Sequence, residues 1–127
     1  MPRQALLFAD QVGSTRLLAE IGSDAMLEVR RLLHDILHTA VDNHGGRVFG
    51  DLGDGIAAVF DESADAVKAA CDMHRRADET SDTPGPRIEL RVGVHVGDVV
   101  ANDEGFVGMP IHVAARLCEI APAGHTA

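Results

Sequence analysis

Asp10, Asp51 and Asp54 each sit beside a turn of small residues, where a carboxylate can be held rigidly against a ligand. Asp10 closes the apolar run Gln4 to Ala9 and leads into Gln11-Val12-Gly13-Ser14-Thr15. Asp51 and Asp54 lie within Arg47 to Phe60, RVFGDLGDGIAAVF, around Gly53-Asp54-Gly55. A carboxylate on a strand end or hairpin tip is a hard oxygen ligand for a divalent cation. The N–H groups that open a helix at Ser14 or Thr15 favour an anion, so Asp10 and that loop could hold a cation and a phosphate together. The same residues also suit ordinary turns. Asp-Gly is a strong hairpin signal, and Asp10 through Ser14 equally describes a strand-to-helix turn with an Asx cap.

A further pattern is His34-Asp35-Ile36-Leu37-His38, which imitates the zincin sequence His-Glu-x-x-His with Asp in place of Glu. Histidines at i and i+4 share a helix face, but the shorter Asp would place a base differently, and no third ligand is evident. A polar helix flank is the simpler account of this pair.

The elements that position these residues follow from periodicity. Gln4 to Ala9 reads as a strand buried on both faces, hence central in its sheet. A helix follows from Ser14, with Ser14 or Thr15 as its cap, and Gly22-Ser23-Asp24 starts a longer one running to about Asn43. Its apolar face is Val29, Leu32, Leu33, Ile36, Leu37, Ala40 and Val41. The Asp-Gly hairpin comes next. Ser63 then caps a helix from Ala64 to about Asp78, with Ala66, Val67, Ala70, Cys71 and Met73 inward. Glu79 to Pro86 is a polar loop and the best candidate for local mobility. Arg87 to Val100 alternates as a strand with Ile88, Leu90, Val92, Val94 and Val96 on one face, and Gly97 suggests a bulge. Ala101 to Met109 reads as a loop, and Pro110 opens a last helix, Ile111 to Ile120. The order β, α, α, β, β, α, β, α describes an α+β protein with a ferredoxin-like or palm-type βαββαβ core. Its sheet is mostly antiparallel, with flanking helices. In that arrangement Asp10 and Asp54 converge at one sheet edge.

Composition narrows the partners. A chain of 127 residues with 46% hydrophobic and 24% charged residues is one globular domain, 1–127. The formal charge of −9 repels nucleic acid and anionic membrane, and four Phe with no Trp or Tyr supply no base-stacking platform. No apolar run is long enough for membrane insertion. Cys71 and Cys118 read as reduced core or near-core residues of a cytoplasmic protein.

Phe8-Ala9-Asp10-x-x-Gly13-Ser14-Thr15 followed by Gly53-Asp54-Gly55 and Phe60 resembles the class III adenylyl/guanylyl cyclase catalytic domain. Arg91-Val92-Gly93-Val94-His95-Val96-Gly97 and Gly108-x-x-Ile111-His112-Val113-Ala114-Ala115-Arg116-Leu117 agree with it. The resemblance implies cyclisation of a nucleoside triphosphate with release of pyrophosphate, at sites built across a homodimer. It assigns two divalent cations, Mg2+ or Mn2+, to Asp10 and Asp54, and the phosphates to Val12, Gly13, Ser14 and Thr15. Arg116 corresponds to the arginine that stabilises the transition state.

Departures from the family pattern concern base and ribose. Gly50 stands where adenylyl cyclases usually carry a base-reading lysine, and Gly105 where its acidic or small polar partner usually sits, although Asp103 and Glu104 lie close. His112 replaces the asparagine that usually orients the ribose. The family's domain normally continues into further strands, which are expected to be missing after Ala127. Loss of base-specific hydrogen bonds cuts discrimination without abolishing metal-triphosphate binding. Two readings follow: a nucleotidyl cyclase of weak activity with ATP ahead of GTP, or a catalytically degenerate module that dimerises or senses nucleotide. A diguanylate cyclase could share the sheet, but its Gly-Gly-Asp/Glu-Glu-Phe hairpin is absent. A small ferredoxin-like binding module would need no aspartate pair at all.

Overall fold

The continuous apolar run at the start of the chain needs cover on both faces, and the fold supplies it. The computed structural model describes residues 3–81, 88–98, 100–102, 105–107, 109–122 and 124–127. In chain order the elements are β1 (Arg3–Gln11), α1 (Ser14–Asn43), β2 (Arg47–Asp51), β3 (Gly55–Phe60), α2 (Ser63–Ser81) and β4 (Leu90–Asp98). They continue as β5 (Val100–Asn102), β6 (Gly105–Val107), α3 (Met109–Ile120) and β7 (His125–Thr126). The main sheet has the order β2-β3-β1-β4-β7, so β1 is its middle strand, antiparallel to both β3 and β4. Among the described residues only the short β4–β7 pairing of this sheet is parallel, which makes the sheet mixed but mostly antiparallel.

One face carries the main core. Leu7, Ile56, Phe60, Leu90 and Val92 meet Leu33, Leu37 and Val41 of α1 and Ala66, Ala70 and Met73 of α2. Each large side chain buried there contributes roughly 1.5–3 kcal/mol. On the other face Leu6 and Val59 pack with Ala114 of α3, beside the partly buried Phe8 and Phe49. Gly93 brings α3 against β4: a Cβ there would lie 2.3 Å from the backbone N of Cys118 and 2.5 Å from the carbonyl of Ala114. No described helix is long and apolar enough to cross a membrane.

Several local expectations need correction. Gly97 pairs in continuous register with Gln4, so β4 has no bulge there. The irregularity falls instead between Val48 and Gly50 of β2. The 101–109 loop contains a small β5–β6 ribbon, and β7 adds backbone pairing near the end of the chain. α2 continues through Glu79, Thr80 and Ser81; the remainder of the loop expected to be mobile, 82–86, lies outside the described residues. The inward face of α2 is Ala66, Ala69, Ala70, Met73 and Ala77, which leaves Val67 and Cys71 exposed. Close helix packing selected the alanine stripe, a phase that an even scatter of apolar residues does not reveal. The two predicted helices before Asn43 run together, with a break at Gly22 (φ 83°, ψ 170°).

Candidate active site

The end of β1 is where three segments meet. Asp10 is in register with Gly55 of β3 on one side and Arg91 of β4 on the other. Gly55 permits this approach, because a Cβ there would come within 2.1 Å of the Ala9 carbonyl and 2.9 Å of the Asp10 Cα. The Gln11 N–H donates to the Asp54 carbonyl at 2.8 Å, and the Leu52 N–H to the Gly55 carbonyl at 2.9 Å. These bonds fix the β2–β3 turn against the strand that carries Asp10, and the two carboxylates lie close enough to repel each other.

Arg91 binds Asp10 as a fork. Its Nε donates to Oδ1 at 3.2 Å and its Nη2 to Oδ2 at 3.3 Å, while Nη1 donates to the Glu119 carbonyl at 3.0 Å. Burial nevertheless pushes the Asp10 carboxyl above the usual range; Arg91 opposes this, and the neighbouring Asp54 carboxylate adds to it. Cys118 is buried behind the pair and donates its thiol to the Arg91 carbonyl at 3.4 Å. Burial, with the Asp10 charge beside it, pushes that thiol up to about 12, so it stays protonated.

Ser14 does something the sequence did not suggest. The residue before α1 is Gly13 in the left-handed region (φ 68°), with no side-chain cap. Ser14 is therefore the first helical residue, and its Oγ donates to Asp54 Oδ2 at 3.0 Å instead of capping. The Val12 N–H is engaged by the Glu89 carbonyl at 2.8 Å, and the first helical bond runs from Leu17 N–H to the Gly13 carbonyl. The amides of Ser14, Thr15 and Arg16 precede that bond, beside the aspartates.

Arg116 stands apart from this group. Its side chain is 76% exposed and its Nη1 lies 3.4 Å from Glu119 Oε2. Among the described residues no contact links it to Asp10 or Asp54. Gly50 lies in β2 opposite Ala57, and Gly105 in β6 opposite Asn102. The side chain of His112, and Asp103, Glu104 and Gly108 altogether, lie outside the described residues.

Asp51 has a different setting from Asp54. Its Oδ1 accepts the Gly53 N–H at 3.0 Å, and the turn points it toward α1, where the His34 and His38 rings stack with centroids 3.8 Å apart. One donor atom from each of these three residues lies within 4.8 Å of the others. The hairpin thus sets a carboxylate beside the His34/His38 pair, next to which the sequence showed no third group.

Comparison with known proteins identifies the lineage. Residues 2–111 match the family model for the adenylate and guanylate cyclase catalytic domain. The adenylate cyclase of Anabaena cylindrica is 33% identical over 91% of this chain and 26% of its own length. The chain spans 21% to 40% of the curated relatives it matches. An adenylate/guanylate cyclase/hydrolase from Silicibacter pomeroyi superposes with a TM-score of 0.82 at 27% identity, covering 98% of this chain and 73% of that one. The guanylate cyclase domain of RhGC from Catenaria anguillulae, solved in complex with GTP, shares the fold with a TM-score of 0.83 at 19% identity, covering 98% and 76%. The chain belongs to the adenylate/guanylate cyclase catalytic-domain family.

Proposed function

We propose that this domain converts a nucleoside triphosphate, ATP ahead of GTP, to the 3′,5′-cyclic monophosphate and pyrophosphate. The observation that carries the reading is the convergence of Asp10 and Asp54 beside the start of α1. Their donor chemistry fits two divalent cations, Mg2+ or Mn2+. Each Asp10 oxygen accepts one bond from Arg91 and keeps a lone pair, and Asp54 retains Oδ1 beside the Oδ2 that Ser14 engages. Bound there, the ions would supply charge neutralisation and acidify a coordinated hydroxyl.

The chain's own residues do the rest. Arg91 and Ser14 orient the two carboxylates, and the amides at the start of α1, from Gly13 to Thr15, hold phosphate oxygens. The 3′-hydroxyl releases its proton to solvent water as its oxygen bonds to the α-phosphorus, the bond from that phosphorus to the bridging oxygen breaks, and pyrophosphate leaves with the negative charge. Arg116 faces solvent in one copy, which suits a guanidinium delivered to the site of a second copy in a homodimer. His112 would donate one hydrogen bond to the ribose.

The test measures cyclic nucleotide from ATP and from GTP, each with Mg2+ and with Mn2+, on the native chain and on D10N and D54N. Turnover in the native chain and a loss of about 100-fold or more in both variants is expected. Gly50 and Gly105, at the base-reading positions, favour one second reading: a degenerate module that binds metal-nucleotide without turnover. Nucleotide binding by a folded dimer that forms no product from either substrate would select it.

A further inference from the structure

We propose that His34, His38 and Asp51 form a second metal site, for a borderline transition ion of the zinc class, that clasps the β2–β3 turn to α1. The site itself concerns residues to which the cyclase reading assigns no role and stands without it; only its effect on Asp54 rests on that reading.

The ligand set selects the ion. Two imidazoles and one carboxylate suit Zn2+ and its neighbours, whereas Mg2+ takes oxygen ligands and keeps its water. His34 and His38 are one turn apart on a helix anchored by the neighbouring buried Leu33, Ile36 and Leu37, so their backbone positions are fixed. Asp51 reaches them from another element, and the Gly53 N–H on its Oδ1 leaves Oδ2 to a ligand. Such an outer hydrogen bond on a ligating carboxylate is a usual feature of metal centres.

His34 and His38 are brought together by their helical spacing and stacked rings, whereas no hydrogen bond among the described residues ties Asp51 to either of them. His38 Nε2 is out of contact with solvent and has no hydrogen-bond partner among those residues, and a cation would satisfy a nitrogen of this kind. Tetrahedral zinc requires donor separations of about 3.4 Å. The donors lie within 4.8 Å of one another, and binding requires the stacked imidazoles to turn toward a shared point. Beside His34 and Asp51 a cleft of ≈ 140 Å³, lined also by Arg30, Gly53 and the apolar Leu33 and Leu37, leaves room for a water as fourth ligand. Among the described residues Arg30 is the one cation lining that cleft and opposes the ion, while the −9 charge of the chain favours it.

The consequence lies three residues away. Asp54 hangs from the same turn as Asp51, so an ion that joins Asp51 to α1 also restrains the carboxylate assigned to Mg2+ or Mn2+. Zinc would then tune the cyclase site without entering it.

The test uses Zn2+ on the full chain, with affinity measured by competition against a chromophoric chelator. One ion per chain is expected. H34Q–H38Q should weaken binding about 100-fold, since losing even an outer partner costs 10–100-fold, and D51N should weaken it about tenfold. D10N–D54N should leave it unchanged. Zinc should raise the melting temperature of the native chain and of D10N–D54N, but not of H34Q–H38Q. His34 is exposed, so H34Q alone gives a folded variant in which the loss can be read. Equal affinity in the native chain and H34Q–H38Q, absence of saturable binding, or loss confined to D10N–D54N would each overturn the proposal.

Discussion

Replacing Arg91 with methionine isolates the ion pair on which the cyclase site is built. R91M keeps the length of the side chain but removes two charge-assisted hydrogen bonds to Asp10, at 3.2 and 3.3 Å, and one to the Glu119 carbonyl at 3.0 Å. Stripping one partner from a fully buried pair costs roughly 3–5 kcal/mol. The Arg91 and Asp10 side chains keep 32% and 23% exposure, so solvent screens part of that, and about 2–3 kcal/mol is expected at pH 7. The pH dependence follows from Asp10. Its folded carboxyl already sits above the usual range, so ionising it opposes folding, and its contribution to stability improves as pH falls toward about 4. Arg91 is the group that limits this upward shift; without it the shift grows. The stability gap between R91M and the native chain should therefore narrow from pH 7 to pH 5, toward the ~1 kcal/mol left by the Glu119 bond. Urea unfolding in metal-free buffer at pH 7, 6 and 5 measures the gap. A double-mutant cycle with D10N at pH 7 should give a coupling of about 1–2 kcal/mol. A gap that ignores pH, or a coupling within about 0.3 kcal/mol of zero, would refute the account of the pair.

Three further outcomes follow from the same geometry. R116A removes an exposed surface pair worth about 0–1 kcal/mol, so its melting temperature should stay within a few degrees while cyclase turnover drops by roughly 100-fold or more; unchanged turnover would leave Arg116 an ordinary surface residue. G55A forces a methyl against the Ala9 carbonyl and should lower unfolding free energy by about 3 kcal/mol or more, measured in urea. G50K should fold normally, because a Cβ at Gly50 meets Ala57 Cβ at an ordinary 3.6 Å, and should raise the ATP-to-GTP ratio of kcat/KM by about tenfold or more.

Much of the frame is legible in local patterns. The run from Ala5 to Ala9 has no polar face and so had to be an inner strand; β1 lies between β3 and β4. Asp-Gly marked the hairpin, and the ladder it starts sets Asp10 opposite Gly55, which brings the two aspartates to one edge. The apolar side of α1 followed the 3.6 period as expected.

What the sequence left open depended on contacts between distant segments. Pairing with the strand that ends at Asp10 singled out Asp54, but left Asp51, three residues earlier on the same turn, without a neighbour. The packing of that turn sets Asp51 beside His34 and His38 and ties Asp54 to Ser14. The capping preference of serine is a local statistic, and a carboxylate 40 residues away competes for the same hydroxyl. Alternation in β4 placed Arg91 on the face opposite Val92 but could not name Asp10, 81 residues earlier, as its partner. Periodicity says which face a side chain takes, whereas the neighbour it meets there is decided by strand register and helix packing, which exist only once the chain has folded.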